Sequence, residues 1–320
     1  MIWCKLKRDY FRRSEYSYPM NWASIAILSA AIYGIITTID SHLISKRMPG
    51  LRAFLLPITI IHLFYGSLFY YLFPFPENIG LWPLTVAFGS SIIRIAGATI
   101  MIYLLKKEEV SRVVPVVYTY PIFVALTAVP LLGESITYLQ WLAIVIVVVG
   151  AVIVSFKQNP FGDAIWPGKP FLALIGGSLL LAMADITSKY ALAYFSFWNM
   201  FSVNAFSIFG LFFVFSMRPH VLRQLRDMNQ RNRSLGLMAF NESLMPIALT
   251  GSFWALSRGP VSLVSTIISS RPIFVVIYAI ILNYTLPHFL VKSTTSKVIL
   301  VIRLIATAMI VGGISIIYIS

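Results

Sequence analysis

The chain has 320 residues, of which 58% are hydrophobic and only 11% charged, with a formal net charge of +14. Soluble domains carry roughly 25% charged residues, so a soluble fold is excluded, and the apolar residues fall in blocks about 20 long, the length a helix needs to cross a hydrocarbon core of about 30 Å. The Lys and Arg behind the basic charge sit in short links between those blocks, the usual place in membrane proteins, which argues against nucleic acid as a partner.

Runs such as residues 141–156 show no apolar/polar alternation, so barrel strands are excluded and the fold class is all-α, polytopic in the membrane. Cys4 is the only cysteine, which rules out an intramolecular disulfide or a cysteine-based metal cluster, and His42, His62, His220 and His288 have no metal-ligand spacing. No cofactor and no metal is expected.

The basic tail, residues 1–19, has neither an apolar core nor a small-residue cleavage site, so it is expected to stay in the mature chain. Ten spans follow, at about 20–43, 52–74, 82–105, 110–131, 137–156, 171–195, 197–217, 235–257, 260–282 and 297–319. The link after the seventh, Arg218 to Arg233, reads equally as an amphipathic helix on anionic lipid or as a solvated basic loop.

The chemistry is carried by polar residues inside the spans. An ion at the centre of a spanning helix costs about 2.5–3.5 kcal/mol on insertion scales, so each needs a partner, a wet cavity or a function. Asp40 lies near the end of span one, an interfacial position, and Arg303 near an end of span ten. His62, near the middle of span two, is titratable or a hydrogen-bonded packing residue. Arg94 in span three and Arg271 in span nine lie too deep to reach a headgroup; they are candidate substrate or gating residues, or neutralisers of buried acids. Pro272, directly after Arg271, frees a carbonyl a turn upstream, a break tolerated where it lines a cavity. Tyr118 and Tyr120 in span four and Trp254 in span eight are candidate aromatic walls for a substrate. Asp185 and Lys189, four apart in span six, share a helix face and are expected to pair locally, with gating as the other reading. In span eight, Asn241 is a candidate substrate contact. Glu242, with no cation at helical spacing, is the candidate proton carrier unless an arginine on another helix neutralises it.

Sliding the chain by 151 positions lays residues 110–129 over 261–280, matching Pro121 to Pro272, Ile122 to Ile273, Phe123 to Phe274 and Val124 to Val275. A duplicated five-helix unit is expected: residues 20–156, a linker at 157–170, and residues 171–320. Because five is odd, the copies insert with opposite orientation, an arrangement that encloses a midplane site in many transporters.

The chain resembles the EamA domain of the drug/metabolite transporter superfamily. The resemblance rests on Gly34 in the first span, the passage from Tyr103 to Pro115 leading into the fourth, Leu132, Gly133 and Glu134 closing it, and a glycine-bearing fifth span. In the second half Ile281, Leu282 and Asn283 stand where another Leu-Gly-Glu is expected, so a symmetric role for Glu134 does not carry over. The resemblance implies a transporter rather than an enzyme, with both termini in the cytoplasm, whereas the links on the side opposite the termini carry more Lys and Arg.

The expected function is secondary transport of a small organic metabolite, an amino acid or organic anion sooner than a cationic drug, by alternating access around a midplane cavity in the plasma membrane. Protons are a candidate coupling ion, lipids the surrounding partner, and a monomer or weak homodimer the expected state. An integral-membrane enzyme, or a lipid-binding or sensory protein that transports nothing, are the alternatives.

Overall fold

The computed structural model describes residues 21–77, 79–107, 116–155, 169–285 and 297–320. Among these every regular element is helical. The N-terminal tail with Cys4, the link after span five, His288 and the aligned residues 110–115 lie outside the described residues, as does the side chain of Arg303.

The first half contributes α1 (Asn21–His42), α2 (Leu51–Leu72), α3 (Leu81–Lys107), α4 (Tyr120–Leu132) and α5 (Tyr138–Ser155). The second contributes α6 (Lys169–Ala191), α7 (Phe197–Ser216), the short α8 (Pro219–Asp227), α9 (Arg231–Arg258), α10 (Val261–Ile268), α11 (Arg271–Thr285) and α12 (Lys297–Ile319). Among the described residues six segments are long and apolar enough to cross a membrane, with α10 and α11 together forming one of them, and three shorter apolar helices accompany them. The protein is an integral, multi-pass membrane protein.

Several boundaries have local causes. The chain of α1 runs on through a π-helical turn, Leu43–Arg47, so the apolar segment extends to Arg47. Gly133 ends α4 at φ 70°, ψ 31°, the left-handed conformation that a residue without Cβ adopts at no steric cost. Ser196 caps α7 by accepting from the Asn199 amide at 3.1 Å, while the Asn199 side chain accepts from the Ser196 amide at 3.3 Å. The basic link resolves in favour of a helix: α8 buries Val221 with Ala53 and Leu56 of α2 and leaves Arg223 and Arg226 exposed.

Span nine, expected as one helix, is two. Ser269 and Ser270 interrupt it, and α11 starts afresh at Arg271. The same two-residue interruption falls at Tyr118 and Thr119, before α4 starts at Tyr120. The bonding across the two breaks matches. Thr119 N donates to Val116 O at 3.2 Å and Ile122 N to Thr119 O at 3.0 Å; Ser270 N donates to Ile267 O and Ile273 N to Ser270 O, both at 3.0 Å.

Helices of the first half pack mainly on those of the second: α1 on α9, α3 on α6, α2 on α7 and α5 on α12. Lesser contacts follow the same exchange, with α1 touching α11 and α6 touching α4. All eight residues of α10 are buried, and it touches α1, α4, α5, α6 and α9, so it lies at the centre of the bundle. α9 buries the polar side chains of Asn241, Glu242, Thr250 and Ser252. Hydroxyls on such helices bond back to their own backbone, as Ser252 does to Ala248 O at 2.8 Å, which lets them sit in a dry core.

Candidate functional site

Three polar groups occupy the interior. The first is built around Arg94 on α3. Its Nη1 meets Asp185 Oδ1 on α6 at 2.9 Å, and its Nη2 donates to Ser188 Oγ at 3.0 Å. The other oxygen of Asp185 accepts from Ser265 Oγ of α10 at 2.5 Å. Tyr120, at the start of α4, donates to the Ser265 carbonyl at 3.2 Å. Three helices thus meet on one carboxylate and one guanidinium, with α4 joined to them through the Ser265 carbonyl, and the Arg94 side chain keeps 24% of its surface open. Phe253 of α9 closes another side, with its ring 5.9 Å from the guanidinium carbon.

Arg271 stands at the neighbouring helix break. Pro272 has no amide to give to the Ile268 carbonyl, and Arg271 Nε donates to that carbonyl at 3.3 Å instead. Its guanidinium carbon lies 4.2 Å from the centroid of the Tyr33 ring. Tyr33 and Tyr120 each lie within electrostatic reach of both Arg94 and Arg271, which joins the two arginines into one region. Tyr118, also within reach of Arg271, packs against the buried cluster of Ala151, Ile273 and Ile310 beside the breaks. Among the described residues, Arg94 has a carboxylate within ion-pair distance and Arg271 has none.

The second group lies elsewhere. Glu242 Oε2 on α9 is 3.6 Å from His62 Nδ1 on α2, both side chains being almost wholly buried, and Asn241 Nδ2 donates to Asp40 Oδ1 on α1 at 2.7 Å. Glu242 stands eleven residues before Phe253, about 16 Å along the helix axis at ~1.5 Å per residue. The structure therefore does not bring Glu242 or Asn241 to the arginines, and the expected single chamber becomes two compartments.

The third group sits at the α9–α10 junction. Lys189 Nζ donates to the carbonyls of Leu256 at 2.6 Å and Gly259 at 2.9 Å, capping the end of α9. Glu134 Oε1 accepts from Val261 N at 2.5 Å, and its Oε2 from Ser262 N at 3.3 Å and Ser262 Oγ at 2.7 Å, capping the start of α10. The local Asp185–Lys189 pair read from helical spacing is corrected here: they share a helix, but each has a stronger partner on another one. Trp254 belongs to this end as well, with Arg258 stacked on it at 4.6 Å.

Sequence reasoning assigned no role to Ser188, Ser265 or Tyr33 and left Glu134 as a family motif residue. A signal for Glu134 was present: Gly259-Pro260 must stop a helix, and a new helix starting in a membrane needs its first amides satisfied.

Buried ion pairs and broken helices inside an apolar bundle define a membrane protein built around polar compartments. Residues 20–156 match the EamA-like transporter family. This stretch belongs to that family, a member of the drug/metabolite transporter superfamily, whose members are transporters rather than enzymes. A solved structure titled only "Crystal structure of protein" aligns over 93% of this chain and 95% of its own at a TM-score of 0.67 and 16% identity, a likeness of fold. No curated protein matches the chain.

Proposed function

We propose that the protein is a secondary transporter that moves a small organic anion or zwitterion, such as an amino acid, by alternating access of two inverted five-helix repeats across the plasma membrane. One observation carries the substrate class. Arg271, at the break between α10 and α11, has no acid within ion-pair distance among the described residues and has Tyr33 against its face. A cation left without an acid in an apolar bundle attracts an anionic group, and the guanidinium fork fits a carboxylate. Arg94, already paired with Asp185, gates: substrate competes with Asp185 for it as the helices rearrange. Tyr118 and Tyr120 wall the region.

The repeat reading is supported by the matching hydrogen bonds at the two breaks, 151 positions apart, and by the exchanged pairings, α1 with α9 and α11 against α6 with α3 and α4. Ten spans, in two units of residues 20–156 and 171–320, follow from that symmetry, with α8 lying on the lipid surface. Asn241, Glu242 and His62 supply the proton-coupled step away from the substrate. Lys189 and Trp254 act at the α9–α10 end as gate residues.

Reconstituted protein should accumulate labelled amino or carboxylic acids, and Arg271→Gln should cut that flux at least tenfold at equal insertion. Unchanged flux in both Arg271→Gln and Arg94→Gln would sink this assignment.

A further inference from the structure

The compartment around Glu242 holds four polar side chains from three helices: Asp40, His62, Asn241 and Glu242. Their bonds leave a consistent deficit. A helical carbonyl can only accept, so the 3.0 Å contact of His62 Nδ1 with Ile58 O makes Nδ1 the protonated nitrogen of the neutral ring. His62 Nε2 then presents a lone pair, and it has no partner among the described residues. Asn241 Oδ1 and Glu242 Oε2 are buried without hydrogen-bond partners as well. These residues are 4%, 0% and 3% exposed. Pro246, one turn on, lacks the amide that would bond the Glu242 carbonyl. All of these unsatisfied atoms are acceptors, and the missing ligand is a donor.

The charge balance says which donor. Asp40 and Glu242 lie within electrostatic reach of each other, with no Lys or Arg among the hydrogen-bond and ion-pair partners of either within the described residues. On the surrounding elements, Arg47 bonds His42 and Gln230, Arg52 lies over Phe215, and Lys46, Arg231 and Arg233 are exposed. Arg94 is committed to Asp185 and Lys189 to the end of α9, while Arg271 and Arg258 face Tyr33 and Trp254. α7 and α10 bring no titratable side chain. Two carboxylates in such a medium repel unless one cation is shared between them. A metal ion is disfavoured because Asn241 turns its NH₂, not its oxygen, toward Asp40, and no group of three acidic, His or Cys side chains with metal geometry occurs among the described residues.

We propose that Asp40 and Glu242 form a carboxyl pair that takes up one proton, the coupling ion of the transporter, with Asn241 holding Asp40 in place and His62 Nε2 as the acceptor through which the proton enters or leaves. Only O–H and N–H bonds form and break, and the proton taken from water on one side is returned to water on the other. This rests on the transport reading above. It adds Asp40 as the second carboxyl and separates the proton site from the substrate arginines.

The test uses the full chain in lipid nanodiscs, without substrate, followed by infrared difference spectroscopy after a pH jump. A carboxylic-acid carbonyl band should titrate in the unaltered protein, be lost in Asp40→Asn and in Glu242→Gln, and shift in Asn241→Ala. All three variants are checked for intact folding by size exclusion. In liposomes both carboxyl variants should lose the stimulation of uptake by a pH gradient. A band that persists in both variants overturns the proposal, as does one that responds to sodium at fixed pH. If solute moves but the band never titrates, the proton site fails and the transport reading stands. If the band behaves as described while no solute moves, the proton site stands and the transport reading fails.

Discussion

Glu134 and Val261 lie 127 positions apart, yet the Glu134 carboxylate accepts the Val261 amide at 2.5 Å. Gly133, at φ 70°, turns the chain after α4 so that this carboxylate reaches the first turn of α10. A helix that begins inside a membrane protein has open amides and no water to fill them. Replacing Glu134 by Ala should cost about 2 kcal/mol, the range for losing a charged cap. Glu134→Gln should cost less, since its amide oxygen still accepts. Thermal unfolding in detergent checks both, and equal stability of Glu134→Ala and the parent protein would refute the cap.

Double-mutant cycles should separate the two partners considered for Asp185. Arg94 and Asp185 are in contact at 2.9 Å, so removing both should show a coupling energy of about 1–3 kcal/mol. Asp185 with Lys189 should show a coupling near zero, because Lys189 binds the carbonyls of Leu256 and Gly259. Lys189→Met alone should lower stability by uncapping α9. The reverse ranking of the two couplings would restore the local pair that helical spacing suggests.

That contrast shows what was legible in the sequence. Block length and hydropathy marked the chain as all-helical and membrane-spanning, Pro272 announced the break beside Arg271, and the depth of Arg94 marked it as needing a partner. Helical periodicity says which residues share a face, but it says nothing about the neighbouring helix. Asp185 and Lys189 therefore looked like a pair, although Ser265 and Gly259, on elements distant in sequence, decide their bonds. Asp40 was read as interfacial because span one was ended near residue 43; the π-helical turn to Arg47 carries the segment on and leaves Asp40 inside it. Glu242, an acid with no cation at helical spacing in its own span, is buried as that spacing suggests. Its separation from the arginines depends on tertiary packing.

Tyr33 supplies a face to Arg271 at 4.2 Å, and a desolvated cation–π contact is worth about 2 kcal/mol. Tyr33→Leu should therefore leave the guanidinium poorly held and reduce substrate flux roughly five- to thirtyfold, as 1–2 kcal/mol converts to. Tyr33→Phe retains the ring and should keep most of the flux. If Phe is as damaging as Leu, the hydroxyl rather than the ring positions Arg271.

The seam between α5 and α12 makes neighbouring glycines unequal. A Cβ on Gly313 would lie 2.6 Å from Val147 Cγ2 and 3.1 Å from the Ala143 carbonyl, whereas one on Gly312 would meet nothing within 4 Å. Across the seam, a Cβ on Gly150 would lie 2.8 Å from Ile310 Cγ1 and 2.9 Å from the Ala306 carbonyl. Two helices whose backbones touch cannot admit a methyl group without moving apart, and overpacking of this kind costs about 1–3 kcal/mol. Gly313→Ala and Gly150→Ala should each destabilise the protein by that amount. Gly312→Ala should be neutral, or stabilising by up to about 1 kcal/mol through better helix propensity. Unfolding of the three variants in detergent checks the ranking. Close packing falls on Gly313, so sensitivity at Gly312 together with tolerance at Gly313 would mean that α12 is rotated by one residue against α5.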